Sequence, residues 1–173
     1  MTRASDGMLP DVQKILALRP NAVGDFVFSL PALHALRYSY PTSEICYAGK
    51  QWHADFLMGR PGPIDRVVVV PPVAGVGAHP DADVDQFAVD AFIDEMRSEG
   101  FDLAIQMYGG GRYSNPFIKK LGARVTIGAR TPDAAMLDRD FHFFIAQWAR
   151  IVFEGFERGA RGRCCPGFDH RHA

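Results

Sequence analysis

Two glycine-containing stretches carry the residue types best suited to handling an anion or a polar ligand. The first, Arg19-Pro20-Asn21-Ala22-Val23-Gly24-Asp25, joins an apolar run to a helical pattern. Gly24 allows the backbone to come close to a ligand there, and the free N–H groups of a starting helix favour an anion. Asp25 sits where the helix dipole welcomes a carboxylate, and taken alone it reads as a cap. Arg19, at the strand end, is a candidate ligand contact and equally a partner for a nearby acid. The stretch has neither the GxGxxG spacing of a dinucleotide site nor the Lys-Ser/Thr ending of a Walker loop, which argues against a nicotinamide or ATP site. The second stretch is Gly109-Gly110-Gly111-Arg112, and from Gly110 to Arg130 there are five basic residues and no acidic ones. Arg112, in a glycine loop after a strand, is the member best placed to hold phosphates or acidic groups, whereas Lys119 and Lys120 read as a solvated helix face.

Other polar clusters read as structural. Asp81 to Asp102 holds eight acidic residues against one base, Arg97, and their i, i+4 spacing describes the outer face of a helix better than a metal site. His53, next to Trp52, reads as a surface or packing histidine, and His34 faces out from its helix. Cys164, Cys165, His170 and His172 lack the spacing and frame of a zinc site, so no metal is expected.

These loops must be held by regular elements, and the chain alternates short β-rich runs with longer helical patterns, the signature of βαβ units and a parallel sheet. Five strands are predicted, at Lys14 to Leu18, Glu44 to Ala48, Arg66 to Val70, Leu103 to Met107 and Val125 to Ile127. Near-continuous apolar runs such as Val67-Val68-Val69-Val70 suit strands buried on both faces. Amphipathic crossover helices are predicted at Asp25 to Tyr40, with Pro31 either kinking it or lying in a first turn that begins near Ser29, and at Val84 to Glu99, with Phe87, Ala91 and Met96 on its apolar side. Pro71 to Pro80 is too rich in helix and strand breakers to be anything but a loop. A last helix is expected from Phe141 to about Phe156, with Phe144, Trp148, Ile151 and Val152 as its apolar face. From Gly159 the composition turns irregular, as in a loosely attached tail.

Composition bounds the function. At 173 residues, 47% hydrophobic and 23% charged, the chain has the make-up of one globular domain. A formal charge of −1 removes the broad electrostatic argument for nucleic-acid binding. The first 13 residues lack the apolar core of a signal peptide, and no stretch approaches about 18 apolar residues, so a cytoplasmic protein without a spanning segment is expected. Its three cysteines, two of them adjacent, are expected to be free thiols.

The run Ile15-Leu16-Ala17-Leu18-Arg19, then Ala22-Val23-Gly24-Asp25, Ser29-Leu30-Pro31-Ala32-Leu33, Ala35-Leu36-Arg37 and Tyr40-Pro41, resembles the amino-terminal signature of glycosyltransferase family 9, the lipopolysaccharide heptosyltransferases. Phe101-Asp102-Leu103-Ala104-Ile105-Gln106, Gly109 to Arg112, Leu121-Gly122-Ala123-Arg124 and Ile127-Gly128 are similar to the family's next block, and Leu137-Asp138-Arg139 continues it more weakly. The resemblance covers about Lys14 to Arg130. It implies one half of a two-domain GT-B fold, a Rossmann-like α/β domain over residues 1–158 that holds the sugar acceptor, with residues 159–173 as an irregular tail and the donor-holding second domain absent. Asp25 is then the general base of an inverting, metal-independent transfer of heptose from a nucleotide-diphosphate sugar to lipopolysaccharide core. Arg19, Gly24 and Arg112 are acceptor contacts, and no cofactor beyond the donor substrate is implied. Such a half, ended by truncation, frameshift or a true split, is expected to be inactive without a second-domain polypeptide. The work would be done in the cytoplasm, with peripheral contact at the inner membrane. The competing reading is a Rossmann-like ligand-binding domain without turnover, or a remnant.

Overall fold

A computed structural model describes residues 8–142. Its centre is a six-stranded sheet in the order β3-β2-β1-β6-β7-β8, every neighbouring pair parallel. The strands are β1 (Lys14–Leu18), β2 (Glu44–Gly49), β3 (Arg66–Val69), β6 (Leu103–Gln106), β7 (Val125–Arg130) and β8 (Arg139–His142). The helices are α1 (Val23–Ser39), α2 (Gln51–Leu57), α3 (Gln86–Glu99) and α4 (Ser114–Lys120). The expected α/β parallel sheet is therefore present, with one strand more than predicted.

The pleat explains the two-faced core. Ala17 and Tyr47 are buried with Phe26 and Leu33 of α1, and Ile15, Ile45 and Leu103 are buried in an adjoining cluster against which Leu36 of α1 packs. The alternate residues Leu16, Leu18, Cys46, Ala48 and Ala104 pack with Val89, Phe92, Ile93 and Met96 of α3 and Phe117 and Ile118 of α4. β1, β2 and β6 thus each feed both layers, as period-two side-chain placement requires. Cys46 is a buried free cysteine whose thiol is pushed up to about 12 by that burial, so it packs as a small apolar group.

A recurring device sets the strand register. An aspartate stands immediately before β3, β6 and β8, and each accepts the N–H of a residue in the neighbouring strand: Asp65 from Ile45 at 2.7 Å, Asp102 from Lys14 at 3.1 Å, and Asp138 from Thr126 at 2.7 Å. Asp102 also accepts from Gln13 at 2.7 Å, and that bond holds its carboxyl below the usual range, while the Thr126 hydroxyl does the same for Asp138. These carboxylates tie the sheet at its amino-terminal edge, opposite the end where ligands bind in such folds.

Several expectations need correction. The polypeptide stays helical through Pro31, so α1 is one helix of 17 residues that starts before Asp25. On α3 the apolar side is Val89, Phe92, Ile93 and Met96, at i, i+3, i+4 and i+7 spacing, whereas Phe87 is 84% exposed and Ala91 also faces solvent. The helix begins at the Asp85 cap, whose carboxylate accepts from Ala88 N–H at 3.1 Å, and ends at Gly100 in the left-handed region, φ 66°. Within Pro71 to Pro80, β4 (Val73–Ala74) and β5 (Gly77–Ala78) form a two-stranded ladder. Phe141, expected to open a helix, lies instead in β8, where Ala129 is its register partner in β7. Arg130 of β7 and Asp140 of β8 pair at 2.8 Å across the same two strands. The rest of the helix expected up to Phe156 and the tail from Gly159, with Cys164, Cys165, His170 and His172, lie outside the described residues.

Candidate functional site

The strand order reverses direction at β1 and β6. Chain leaving β1 enters α1 on one face of the sheet, and chain leaving β6 enters α4 on the other. Between two such diverging loops lies the crevice in which open α/β sheets bind ligands. Both glycine stretches singled out in the sequence arrive at this edge.

On the β1 side, Arg19 is only 7% exposed. Its Nε donates to the Asp25 carbonyl at 2.9 Å, its Nη1 donates to the carbonyl of Met107 just past β6, and its Nη2 meets the Asp25 carboxylate at 3.2 Å. The Asp25 side chain remains 45% exposed. The helix cap is Ala22, with no side-chain hydrogen bond. Asp25 thus lies within the first turn of α1 and does not serve as the cap its position in the sequence suggests. Gly24 is exposed in the same turn, and a Cβ placed on it would meet nothing within 4 Å. Its backbone is open to a ligand without having to be glycine for steric reasons.

On the β6 side, Gly109 and Gly111 take left-handed φ values of 61° and 93°, which turn the chain sharply into α4. Together with Tyr108, Arg112, Tyr113, Thr131 and Asp133 they line a cavity of about 350 Å³. The Arg112 side chain is 68% exposed, lies 3.7 Å from Asp133 and rests over the Tyr113 ring at 5.5 Å. The Asp133 carboxyl is held below its usual range, chiefly by the Thr131 hydroxyl and with help from Arg112. This wall carries a charged fork, two phenols and a hydroxyl, a donor and acceptor set suited to a polyhydroxylated or phosphorylated ligand. The Tyr108 hydroxyl also accepts from Gly77 N–H at 3.3 Å, so the β4-β5 ladder leans on the same loop.

The remaining bases of the Gly110 to Arg130 run do not gather here. Arg124 pairs with Asp102 at 3.4 Å at the amino-terminal edge, Arg130 pairs with Asp140, and the Lys119 ammonium donates to the Met136 carbonyl at 3.1 Å. Linear proximity had joined residues that the strand separates into opposite ends. Tyr108, Tyr113, Thr131 and Asp133 were not singled out in the sequence; the available signal was their position just after β6 and β7. His34 is exposed as expected, and among the described residues no three His, Cys, Asp or Glu come together in a group able to hold a metal.

Behind the β1 loop, His53 is fully buried, stacked on Trp52 with ring centroids 3.6 Å apart and edge-on to Phe26. Its Nδ1 accepts the Lys50 N–H at 2.9 Å, and burial lowers its pKa to about 4. The unfolded chain takes up a proton near the ordinary imidazole value of 6.5 while the folded one does not. The contribution is thus complete above that pH and shrinks as pH falls toward 4. Urea unfolding between these two pH values should show a loss on the order of 2 kcal/mol, and His53→Gln should flatten the dependence. A stability indifferent to pH across that range would contradict the burial of a neutral imidazole.

Among known proteins, no family model and no curated sequence matches the chain. Solved structures do match. A glycosyl transferase family 9 protein from Veillonella parvula DSM 2008 superposes with a TM-score of 0.66 at 18% identity, covering 89% of this chain and 43% of that one. E. coli heptosyltransferase WaaC with ADP-2-deoxy-2-fluoro heptose gives 0.60 at 19% identity, covering 91% and 51%, and WaaC with ADP gives 0.57 at 19%, covering 84% and 46%. The chain spans about half the length of the structures it matches. Its fold is therefore a Rossmann-like parallel sheet shared with part of the glycosyltransferase structures of this family.

Proposed function

We propose that this domain holds the acceptor in a heptosyltransferase-like reaction, transfer of heptose from a nucleotide-diphosphate sugar to lipopolysaccharide core. The observation that carries the reading is the Asp25 carboxylate, kept half-exposed at the switch-point crevice of a fold shared with heptosyltransferase structures. In an inverting transfer the acceptor oxygen attacks the anomeric carbon, the bond to the diphosphate breaks, and the hydroxyl proton passes to a base. Asp25 takes that proton, and general-base help of this kind is typically worth about 10²- to 10⁴-fold. Arg112 and the exposed first-turn backbone at Gly24 hold the acceptor's charged and hydroxyl groups. Donor binding and stabilisation of the departing diphosphate fall to a second domain, so this chain alone binds acceptor without turning it over. Among the described residues no helix is long and apolar enough to cross a membrane. The assigned place of work is the cytoplasmic face of the inner membrane, reached peripherally.

Titrating the isotopically labelled chain with a lipopolysaccharide inner-core oligosaccharide tests the acceptor role without needing turnover. The amides of Gly24, Asp25, Gly109 to Gly111 and Arg112 should shift, and Arg112→Ala should weaken binding about tenfold, the loss expected for one charge-assisted contact. Binding elsewhere on the surface would remove the acceptor assignment. Transfer by the purified chain alone would refute the division of labour between domains.

A further inference from the structure

We propose that Arg19, rather than touching the acceptor, is the positioning residue that fixes the Asp25 carboxylate at the crevice. The inference rests on the reading of Asp25 as the base. Arg19 is nearly as buried as the core leucines around it, and its guanidinium spans acceptors on both loops: the Met107 carbonyl just past β6, the Asp25 carbonyl at 2.9 Å and the Asp25 carboxylate at 3.2 Å. A planar fork can satisfy divergent acceptors of this kind at once, and a lysine ammonium on its flexible stem cannot hold the same geometry.

The backbone of Arg19 is fixed as firmly as its side chain. Its N–H donates to the Ala48 carbonyl at 3.0 Å, and its carbonyl accepts from Asn21 N–H at 2.9 Å and from the Tyr47 hydroxyl at 2.9 Å. Tyr47 is itself fully buried, and its hydroxyl lies 3.5 Å from Nε2 of His53. Because His53 Nδ1 accepts from Lys50, the neutral ring carries its proton on Nε2, facing Tyr47. Gly49 leaves room for this pair, since a Cβ there would lie 2.8 Å from the Tyr47 ring and 2.9 Å from His53 Nδ1. A buried lattice of β1, β2 and β6 therefore ends in one guanidinium, and that guanidinium ends on a half-exposed carboxylate. Without it, Asp25 would be a surface side chain free to sample its staggered rotamers.

Three-bond couplings from the backbone to the Asp25 carboxyl carbon, measured on the labelled chain, read this directly. Wild type should show the couplings of a single χ1 rotamer. Arg19→Met and Arg19→Lys should both show averaging over the wells, with Lys partly restoring the wild-type values because it keeps the charge. Thermal unfolding identifies which variants fold. For one that does not, the reciprocal Asp25→Ala substitution, which removes the exposed member of the pair, should speed rotation of the Arg19 guanidinium in nitrogen-15 spectra. A residue that only stabilises the fold would lower the unfolding temperature and leave the Asp25 couplings alone. Single-rotamer couplings in a folded Arg19 variant, averaged couplings in wild type, or an unchanged guanidinium in Asp25→Ala would overturn the proposal. None of these readouts depends on whether Asp25 acts as a base, which is tested separately by transfer rates of Asp25→Asn.

Discussion

Gly111→Ala should destabilise the domain by about 3 kcal/mol in urea unfolding, a sum of roughly 1–2 kcal/mol for a side chain forced into the left-handed region and about 1–3 kcal/mol for overpacking. The φ of 93° is one cause. The other is space: an added Cβ would lie 2.5 Å from the Asn115 amide nitrogen and 2.7 Å from the Ala129 carbonyl. Neither neighbour can yield cheaply. Ala129 belongs to β7, and the Asn115 amide is buried and donates to the Ala129 and Ala135 carbonyls at 3.3 and 2.9 Å. Relief would have to come from the glycine loop itself, which would carry Arg112 away from the crevice, so acceptor binding should fall together with stability. Gly24→Ala is the contrasting case. It lies in a helical turn with open space around the new Cβ, and its effect on unfolding should stay within about 1 kcal/mol, in the stabilising direction that helix propensity favours. Equal losses at both glycines would mean that the close approach at Gly111 is not real.

The elements that long apolar runs define were legible without a structure. Lys14–Leu18 was placed to the residue, and β2, β3 and β6 within one residue at one end. Burial on both faces leaves β1, β2 and β6 little freedom of composition, whereas β3, at the sheet edge, has only partly buried valines and an exposed Val69 despite its continuous apolar run. Short or polar elements were not legible. α2 has seven residues and opens at Lys50, without the Ser, Thr, Asp or Asn that announces a helix, and β8 has four residues of which three are charged or histidine. The aromatic run after Phe141 pulled the expected helix start back into that strand. At the site, the two loops were legible from their position after strands, whereas the role expected of Asp25 came from the family resemblance and not from its spacing. The Arg19–Asp25 pair remained one of two readings because a strand-end arginine looks the same in a sequence whether it turns inward or outward. The basic run misled for a related reason: Arg112 and Arg124 are twelve positions apart, yet α4 returns the chain to the far edge of the sheet between them. The apolar register of α3 was misjudged at Phe87, an aromatic side chain that the helix leaves in solvent.

Asp25→Asn should lower kcat by about 10²- to 10⁴-fold in a form that joins this chain to a donor domain, because an amide is far too weakly basic to accept the acceptor's proton. The fold should hardly notice. Asp25 makes no capping bond, its side chain is half-exposed, and an amide oxygen still accepts from Arg19, so the change in stability should stay below about 1 kcal/mol. Asp25→Ala should cost more than the Asn change, since it takes the carboxylate away from the nearly buried Arg19 guanidinium, although it removes no cap. Loss of rate without loss of stability separates a chemical role from a structural one. The most direct measurement is the single-turnover rate of heptose transfer to an inner-core acceptor by the joined protein, wild type beside Asp25→Asn, with acceptor saturating. A fall of at least about 100-fold with acceptor affinity and unfolding midpoint preserved is the predicted result, and a near-wild-type rate in Asp25→Asn would contradict the assignment of Asp25 as the base.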